Sequence, residues 1–77
     1  MGQSRKEALR KVTPLARRIE EHLTKLAGDP THPASSHWRH EVRNWISQVR
    51  EAMPDLGKKT AREWSVRVAD WTRRIGG

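Results

Sequence analysis

The amino-acid sequence predicts an all-α fold, a small three-helix bundle. Apolar residues recur at the three- and four-residue intervals of an α-helix in three separate stretches, and no stretch alternates apolar and polar residues as a half-buried strand does. A proline-rich segment and one short turn separate these stretches. The 77 residues suffice for one domain with a modest core. We therefore expect a single helical domain over residues 1–77, with helices over about 4–27, 36–53 and 60–75 and a linker over 28–35.

The first predicted helix begins at Ser4, because Ser4 and Glu7 have the spacing of a capping box. Gly28 should end it, since glycine adopts the left-handed conformation without steric cost. Pro14 removes one helical hydrogen bond, whereas Thr13 can cap a new helix that has Pro14 at its first position. The pattern fits either one helix kinked at Pro14 or two nearly collinear helices split there. The apolar face consists of Ala8, Val12, Leu15, Ile19, Leu23 and Leu26.

The second predicted helix begins at Ser35 or Ser36 and stops before Pro54, because the residue preceding a proline avoids the helical conformation. Its apolar face consists of Trp38, Val42, Trp45, Ile46, Val49 and Met53. The third helix should begin at Thr60, which forms a second capping-box pattern with Glu63. Its apolar stripe consists of Ala61, Trp64, Val68, Trp71 and Ile75. The short connections predict that neighbouring helices are roughly antiparallel.

The four tryptophans are predicted to belong to the core, all of them or all but one. Each indole has a large apolar area and an N–H that needs a partner; stacking on exposed bases is the alternative role. Trp45 and Trp64 should be buried. Trp71 should contribute less to stability because it is nearer a fraying helix end. Trp38 is the tryptophan that we expect to be partly exposed and available to a partner.

Composition excludes several classes of protein. Without cysteine, the chain has no disulfide, thiolate zinc site or cysteine nucleophile. No apolar run approaches the roughly 18 residues of a membrane span, and the N-terminus lacks the apolar block of a secretory signal. We therefore expect a cytoplasmic protein that does not interact with membranes.

The histidines do not predict a metal site. His37 and His40 are one helical turn apart, and His32 lies in the linker before them. Zinc requires three or four convergent ligands supported by further hydrogen bonds, and here no thiolate or carboxylate clearly completes the set. We interpret the histidines as structural or surface residues and predict no metal.

Arg17 and His22 are separated by four residues, a spacing that resembles the catalytic motif of a helical ribonuclease superfamily. The resemblance implies that the arginine holds phosphate and the histidine assists proton transfer. On a helical wheel, however, His22 lies beside Leu15 and Leu26, which favours a hydrogen-bonded core histidine. No Ser-His-Asp set, paired-carboxylate site or glycine-rich phosphate loop is present in the sequence. We therefore predict no catalytic residues, no enzymatic activity and no cofactor.

Positive charge is the main compositional feature. The chain has 16 Lys and Arg against nine Asp and Glu, a formal net charge of +7. The excess lies in residues 1–28 and 55–77, whereas residues 29–54 are balanced. Such a field attracts nucleic acid, acidic protein surfaces or anionic lipid.

Arginines line one edge of the second predicted helix and recur seven residues apart in the third. Because arginine makes planar, bidentate contacts to phosphate, two such edges can follow a phosphate backbone. The alternative is that they form weak surface ion pairs with Glu41, Glu51, Glu63 or Asp70. The predicted contact residues for nucleic acid or an acidic partner are Arg39, Arg43, Arg50, Arg67, Arg74, Lys58 and Lys59.

Two functions are therefore open. The first is a non-catalytic module that binds the phosphates of DNA or RNA. The second is a protein-interaction module (an inhibitor, antitoxin-like partner or assembly subunit) that binds an acidic protein or forms a homodimer. Val66 and Ala69 motivate the second, because they form a mildly apolar face between Arg62 and Arg73, opposite the tryptophans of the third helix.

Several segments occur in an order that is similar to a known family. They are residues 22–26 (His-Leu-Thr-Lys-Leu), the prolines at 30 and 33, residues 37–45 (His-Trp-Arg-His-Glu-Val-Arg-Asn-Trp), residues 54–56 (Pro-Asp-Leu) and the helix containing Trp64. Residues 1–4 with Ala8 and Leu9 are also similar to a segment preceding the His-Leu motif. The chain thus resembles the bacterial family called domain of unknown function twenty-nine. The resemblance implies a helical hairpin or bundle in which His22 and Trp38 are structural, and it implies no activity.

Overall fold

The computed structural model describes residues 4–76, and within them it contains three α-helices and no strand, which confirms the all-α prediction. Residues 1–3, which belong to the segment that resembles the family, and the final Gly77 lie outside the described residues. The helices and one intervening 3₁₀ helix are Arg5–Gly28 (α1), Ser35–Ala52 (α2), Met53–Leu56 (3₁₀) and Lys58–Arg74 (α3).

α1 is one continuous helix through Pro14, so the second alternative, two separate helices, is wrong. Thr13 does not cap a new helix; its hydroxyl donates to the carbonyl oxygen of Leu9 at 2.7 Å. Apolar residues before and after Pro14 are buried in the same core, which offsets the hydrogen bond that proline removes. At the start of α1 the Ser4 side chain accepts a hydrogen bond from the backbone N–H of Glu7, as the capping box predicts.

Two helix boundaries differ from the prediction. Gly28 is the last residue of α1 but has no positive φ, so it does not end the helix in the left-handed conformation; the C-cap is Asp29, which precedes Pro30 and is therefore disfavoured in the helical region. α3 begins at Lys58 rather than Thr60, so the second capping box does not form. The residue before α3 is Gly57, whose φ of 83° turns the chain and whose carbonyl accepts the first helical hydrogen bond.

α1 and α2 are antiparallel, and α3 runs in the direction of α1. The start of α3 lies beside the start of α1, where the Arg5 guanidinium covers Gly57. Farther along, Trp71 of α3 reaches Glu20 of α1. The bundle is elongated, about 42 × 18 × 16 Å. Its core is formed by Ala8, Val12, Leu15, Ala16, Ile19, Leu23, Leu26, Val42, Ile46, Val49, Ala52, Leu56, Trp64, Val68, Trp71 and Ile75.

The burial of the tryptophans agrees with the prediction except at Trp45. Trp64 is buried and Trp38 is partly exposed, as predicted. Trp45 is only half-buried. Trp71 is buried, as its place on the apolar stripe of α3 predicts; it is 1% exposed and its N–H is hydrogen-bonded to Glu20. The core continues past it to Ile75, so the end of α3 is held in place.

Candidate nucleic-acid interface

Two arginines of α2 face a groove between α2 and α3. Arg43 and Arg50 are both exposed and lie two helical turns apart. Between them the groove encloses a cavity of about 200 Å³. We refer to it as the α2–α3 groove, which is lined by Arg43, Ile46, Ser47, Arg50, Thr72 and Ile75.

The third arginine of this edge, Arg39, lies at the end of the bundle where all three helices meet. Here it shares a second cavity, of about 330 Å³, with Arg74 from the last turn of α3. The remaining lining residues are mostly apolar: Leu23, Leu26, Ala27, Pro30, Ile75 and Gly76. Ile75 lines both cavities, so the end cavity and the α2–α3 groove are neighbours.

The arginines of α2 form no ion pair with any acid in residues 4–76. Glu41, which is two residues from both Arg39 and Arg43, instead contacts His22 of α1 and His37. Arg50 has one long side-chain contact, 3.5 Å from Nη2 to the Thr72 hydroxyl. Surface ion pairs therefore do not neutralise the arginines of α2 in the described residues. Their guanidinium groups can bind an external anion.

Arg67 and Arg74 do not form an equivalent edge on α3, because both are occupied by contacts within the protein. The Arg67 guanidinium lies over the rings of Trp64 and Trp71, 4.3 and 5.2 Å from their centroids. This is a cation–π arrangement. Arg74 reaches α1, where its Nη1 donates to Glu20 Oε1 at 3.0 Å; the same nitrogen is 3.5 Å from an oxygen of Asp70.

Glu20 is the centre of this contact, and sequence reasoning did not identify it. The indole N–H of Trp71 donates to Glu20 Oε2 at 2.6 Å. This hydrogen bond is the largest cause that lowers the pKa of Glu20, and Arg74 lowers it further. The same partnership raises the pKa of Arg74. The sequence contained one indication of this role. Glu20 follows Ile19 at the border of the apolar face, and a buried indole N–H needs an acceptor such as a carboxylate.

Lys58 and Lys59 lie at the opposite end of the bundle from Arg39 and Arg74. They line a third cavity, of about 330 Å³, that also contains Arg5, Leu56, Gly57 and Thr60. The sequence did not indicate Arg5, because its position beside the start of α3 depends on the packing of α1 against a segment about 50 residues away. The predicted basic residues therefore fall into separate groups rather than one surface.

His22 of α1 and His37 of α2 make side-chain contacts within the bundle. His22 is half-buried, its Nδ1 lies 3.0 Å from the carbonyl oxygen of Arg18, and its ring meets the edge of Trp45 at 4.8 Å between centroids. On the other side its Nε2 is 3.6 Å from Glu41. These contacts agree with a hydrogen-bonded histidine at the edge of the core.

The linker histidine, His32, stacks on Trp38 with 4.6 Å between the ring centroids. Its Nδ1 accepts a hydrogen bond from the backbone N–H of Ala34, 2.9 Å away, so it helps to fix the turn that leads into α2. Within residues 4–76, no group of three or more His, Asp or Glu side chains is arranged to hold a metal ion.

None of the helices in residues 4–76 combines the length and the hydropathy needed to cross a membrane. Comparison with known proteins found no matching family model, no matching curated protein and no matching solved structure, so the resemblance to domain of unknown function twenty-nine stays a prediction.

Proposed function

We propose that this protein is a small non-catalytic binding module that contacts nucleic-acid phosphates through Arg39, Arg43 and Arg50. The observation that supports it is the absence of an acidic partner for these side chains within the described residues. A guanidinium that is not neutralised by its own protein retains its full attraction for a phosphate, and its planar fork matches two phosphate oxygens at once.

The spacing of these arginines suits a repeating anion. Arg39 and Arg43 are separated by about 6 Å along the helix axis, and Arg43 and Arg50 by about 10 Å. The edge is therefore about 16 Å long, which is roughly five phosphates of one B-form strand at 3.4 Å each. Because the arginines project from one helix, their backbone positions are set before binding. Association therefore loses less conformational entropy than it would for arginines on a flexible segment.

The other predicted residues have subordinate roles in this proposal. Arg67 covers the Trp64 and Trp71 rings within α3, and Arg74 joins α3 to Glu20 of α1. Lys58 and Lys59, together with Arg5, add positive potential at the far end of the molecule and raise the rate of encounter with a polyanion. In this proposal, binding does not require any of these residues to contact a phosphate.

The test compares two triple variants that lose the same charge. One is Arg39→Gln, Arg43→Gln, Arg50→Gln; the control changes three exposed arginines of α1 to Gln, namely Arg10, Arg17 and Arg18. Binding to a fluorescent oligonucleotide is measured by anisotropy over a range of salt concentrations. Three phosphate contacts give a log–log salt slope of about 2–3 in magnitude.

We expect the α2 variant to lose most of its affinity for the oligonucleotide and most of the salt dependence of binding. The α1 variant should retain more of both. Equal losses in the two variants would mean that net charge alone attracts the nucleic acid. No binding by the unaltered protein at low salt would reject the proposal. Circular dichroism of both variants checks that they remain folded.

An acidic protein surface is the second candidate partner. The specific observation in its favour is Val66, a large apolar residue of α3 that is 67% exposed, with the exposed Ala69 nearby. A pull-down from lysate with and without nuclease separates the two candidates. A partner protein that is retained after nuclease treatment supports the second, whereas loss of all captured material supports the first.

A further inference from the structure

We propose that the α2–α3 groove receives one unpaired base, so that the preferred ligand is single-stranded nucleic acid rather than a duplex. This inference rests on the proposed function and narrows it to one class of ligand. The inference follows from the apolar and hydroxyl side chains that line the groove between Arg43 and Arg50. A surface that binds only phosphates would not need these side chains.

The groove has an apolar floor and a charged rim. Ile46 and Ile75 form the floor and are each 5% exposed. Arg43 and Arg50 stand at the rim, about 10 Å apart along α2. A phosphate gains nothing from an apolar floor, because burying its charge there costs solvation without a hydrogen bond in return.

A nucleobase has the combination of surfaces that the groove offers. Its flat faces are apolar and pack on isoleucine, while its edges form hydrogen bonds. The exposed Ser47 hydroxyl can donate or accept at one edge. The Thr72 hydroxyl donates to the carbonyl of Val68 at 2.8 Å and accepts the 3.5 Å contact from Arg50, which leaves its oxygen one lone pair to accept from a base edge.

The size of the cavity also favours one base. Its volume of about 200 Å³ is below the range of roughly 300–1,000 Å³ of sites for drug-sized ligands. In a single strand the base can turn out and fill the cavity while its flanking phosphates meet Arg43 and Arg50. In a duplex each base is stacked and paired, and placing it in the groove would require flipping it out.

The experiment compares oligothymidylate with the same strand paired to oligoadenylate, at equal phosphate concentration, using anisotropy. Ser47→Leu fills the groove without changing charge. Asn44→Leu is the control, because Asn44 is an exposed residue of α2 that lines none of the cavities described above. Polyglutamate of similar charge tests whether any flexible polyanion suffices.

We expect the single strand to bind at least about tenfold more tightly than the duplex, and Ser47→Leu to remove that preference by weakening the binding of the single strand. Asn44→Leu should preserve the preference. Equal affinity for the two forms, or an unaltered preference in Ser47→Leu, would overturn this inference but leave the proposed function standing. Polyglutamate binding as tight as the single strand would also overturn it. Absence of binding to either nucleic acid would instead reject the proposed function.

Discussion

The indole N–H of Trp71, in the last part of α3, donates a hydrogen bond of 2.6 Å to the carboxylate of Glu20 in α1. The same carboxylate accepts from Arg74 through its other oxygen. One side chain therefore satisfies the most deeply buried tryptophan and neutralises an arginine that the sequence alone assigns to ligand binding. This contact holds α3 against α1. It also distinguishes Arg74, which pairs with an acid of its own protein, from the α2 arginines, which pair with no acid in the described residues.

Replacing Glu20 tests the value of this acceptor. In Glu20→Ala the buried indole N–H loses its partner, and the free energy of unfolding should fall by about 1–3 kcal/mol. Glu20→Gln retains an acceptor oxygen and loses only the ion pair with the partly exposed Arg74, so its loss should be smaller, about 1 kcal/mol or less. Urea denaturation followed by circular dichroism measures both. Equal losses would show that the ion pair, not the indole hydrogen bond, is the important contact.

The acid dependence of stability should contain a contribution from Glu20. Its pKa is lowered in the folded protein, below the ordinary value of 4.5, chiefly by the Trp71 hydrogen bond. The unfolded state therefore binds the proton more readily, and the stabilisation is fully present above pH 4.5 and lost as the pH falls through the lower folded pKa. Thermal unfolding from pH 6 to pH 3 should show a steeper loss in the unaltered protein than in Glu20→Gln, where this contribution is absent. Parallel curves would contradict the assignment.

The four tryptophans should fall into two classes when each is replaced by alanine. Trp64→Ala and Trp71→Ala remove buried indoles and should cost about 3–5 kcal/mol each, comparable to the whole stability expected for a domain of this size. Trp38→Ala and Trp45→Ala should cost less, because both side chains are only half-buried. Chemical denaturation of the four variants checks the order. A Trp71→Ala variant as stable as Trp38→Ala would refute the burial of Trp71.

Gly57 should tolerate substitution less well than Gly28. Gly57 has a φ of 83°, and a Cβ added there would lie 2.7 Å from the Arg5 guanidinium. Gly57→Ala should therefore cost about 1–3 kcal/mol of backbone strain, with displacement of Arg5 in addition. Gly28→Ala meets no atom within 4 Å at a position without positive φ and should be neutral or stabilising by up to about 1 kcal/mol. Thermal unfolding of the two variants distinguishes these outcomes.

The number and approximate positions of the helices could be predicted from the sequence, because they depend on information that is local in the chain. The periodic apolar residues of α1 and α2 define the faces that are buried in the structure. Ser4 begins α1 through a hydrogen bond to a residue three positions away. For this reason the all-α prediction required no knowledge of how the helices pack.

Contacts between distant residues were decided only by the tertiary structure. Arg50 and Arg74 are both arginines at the edge of an apolar helical face, and their sequence surroundings gave both the same predicted role. Arg74 meets Glu20, 54 residues away, whereas Arg50 meets no acid in the described chain. Trp71 is predicted to be in the core by the apolar stripe of α3, but its acceptor, Glu20, is 51 residues away and is known only from the packing. The packing of α3 beside α1 determines which charges and indoles acquire partners, because an ion pair or hydrogen bond depends on distance in space rather than along the chain.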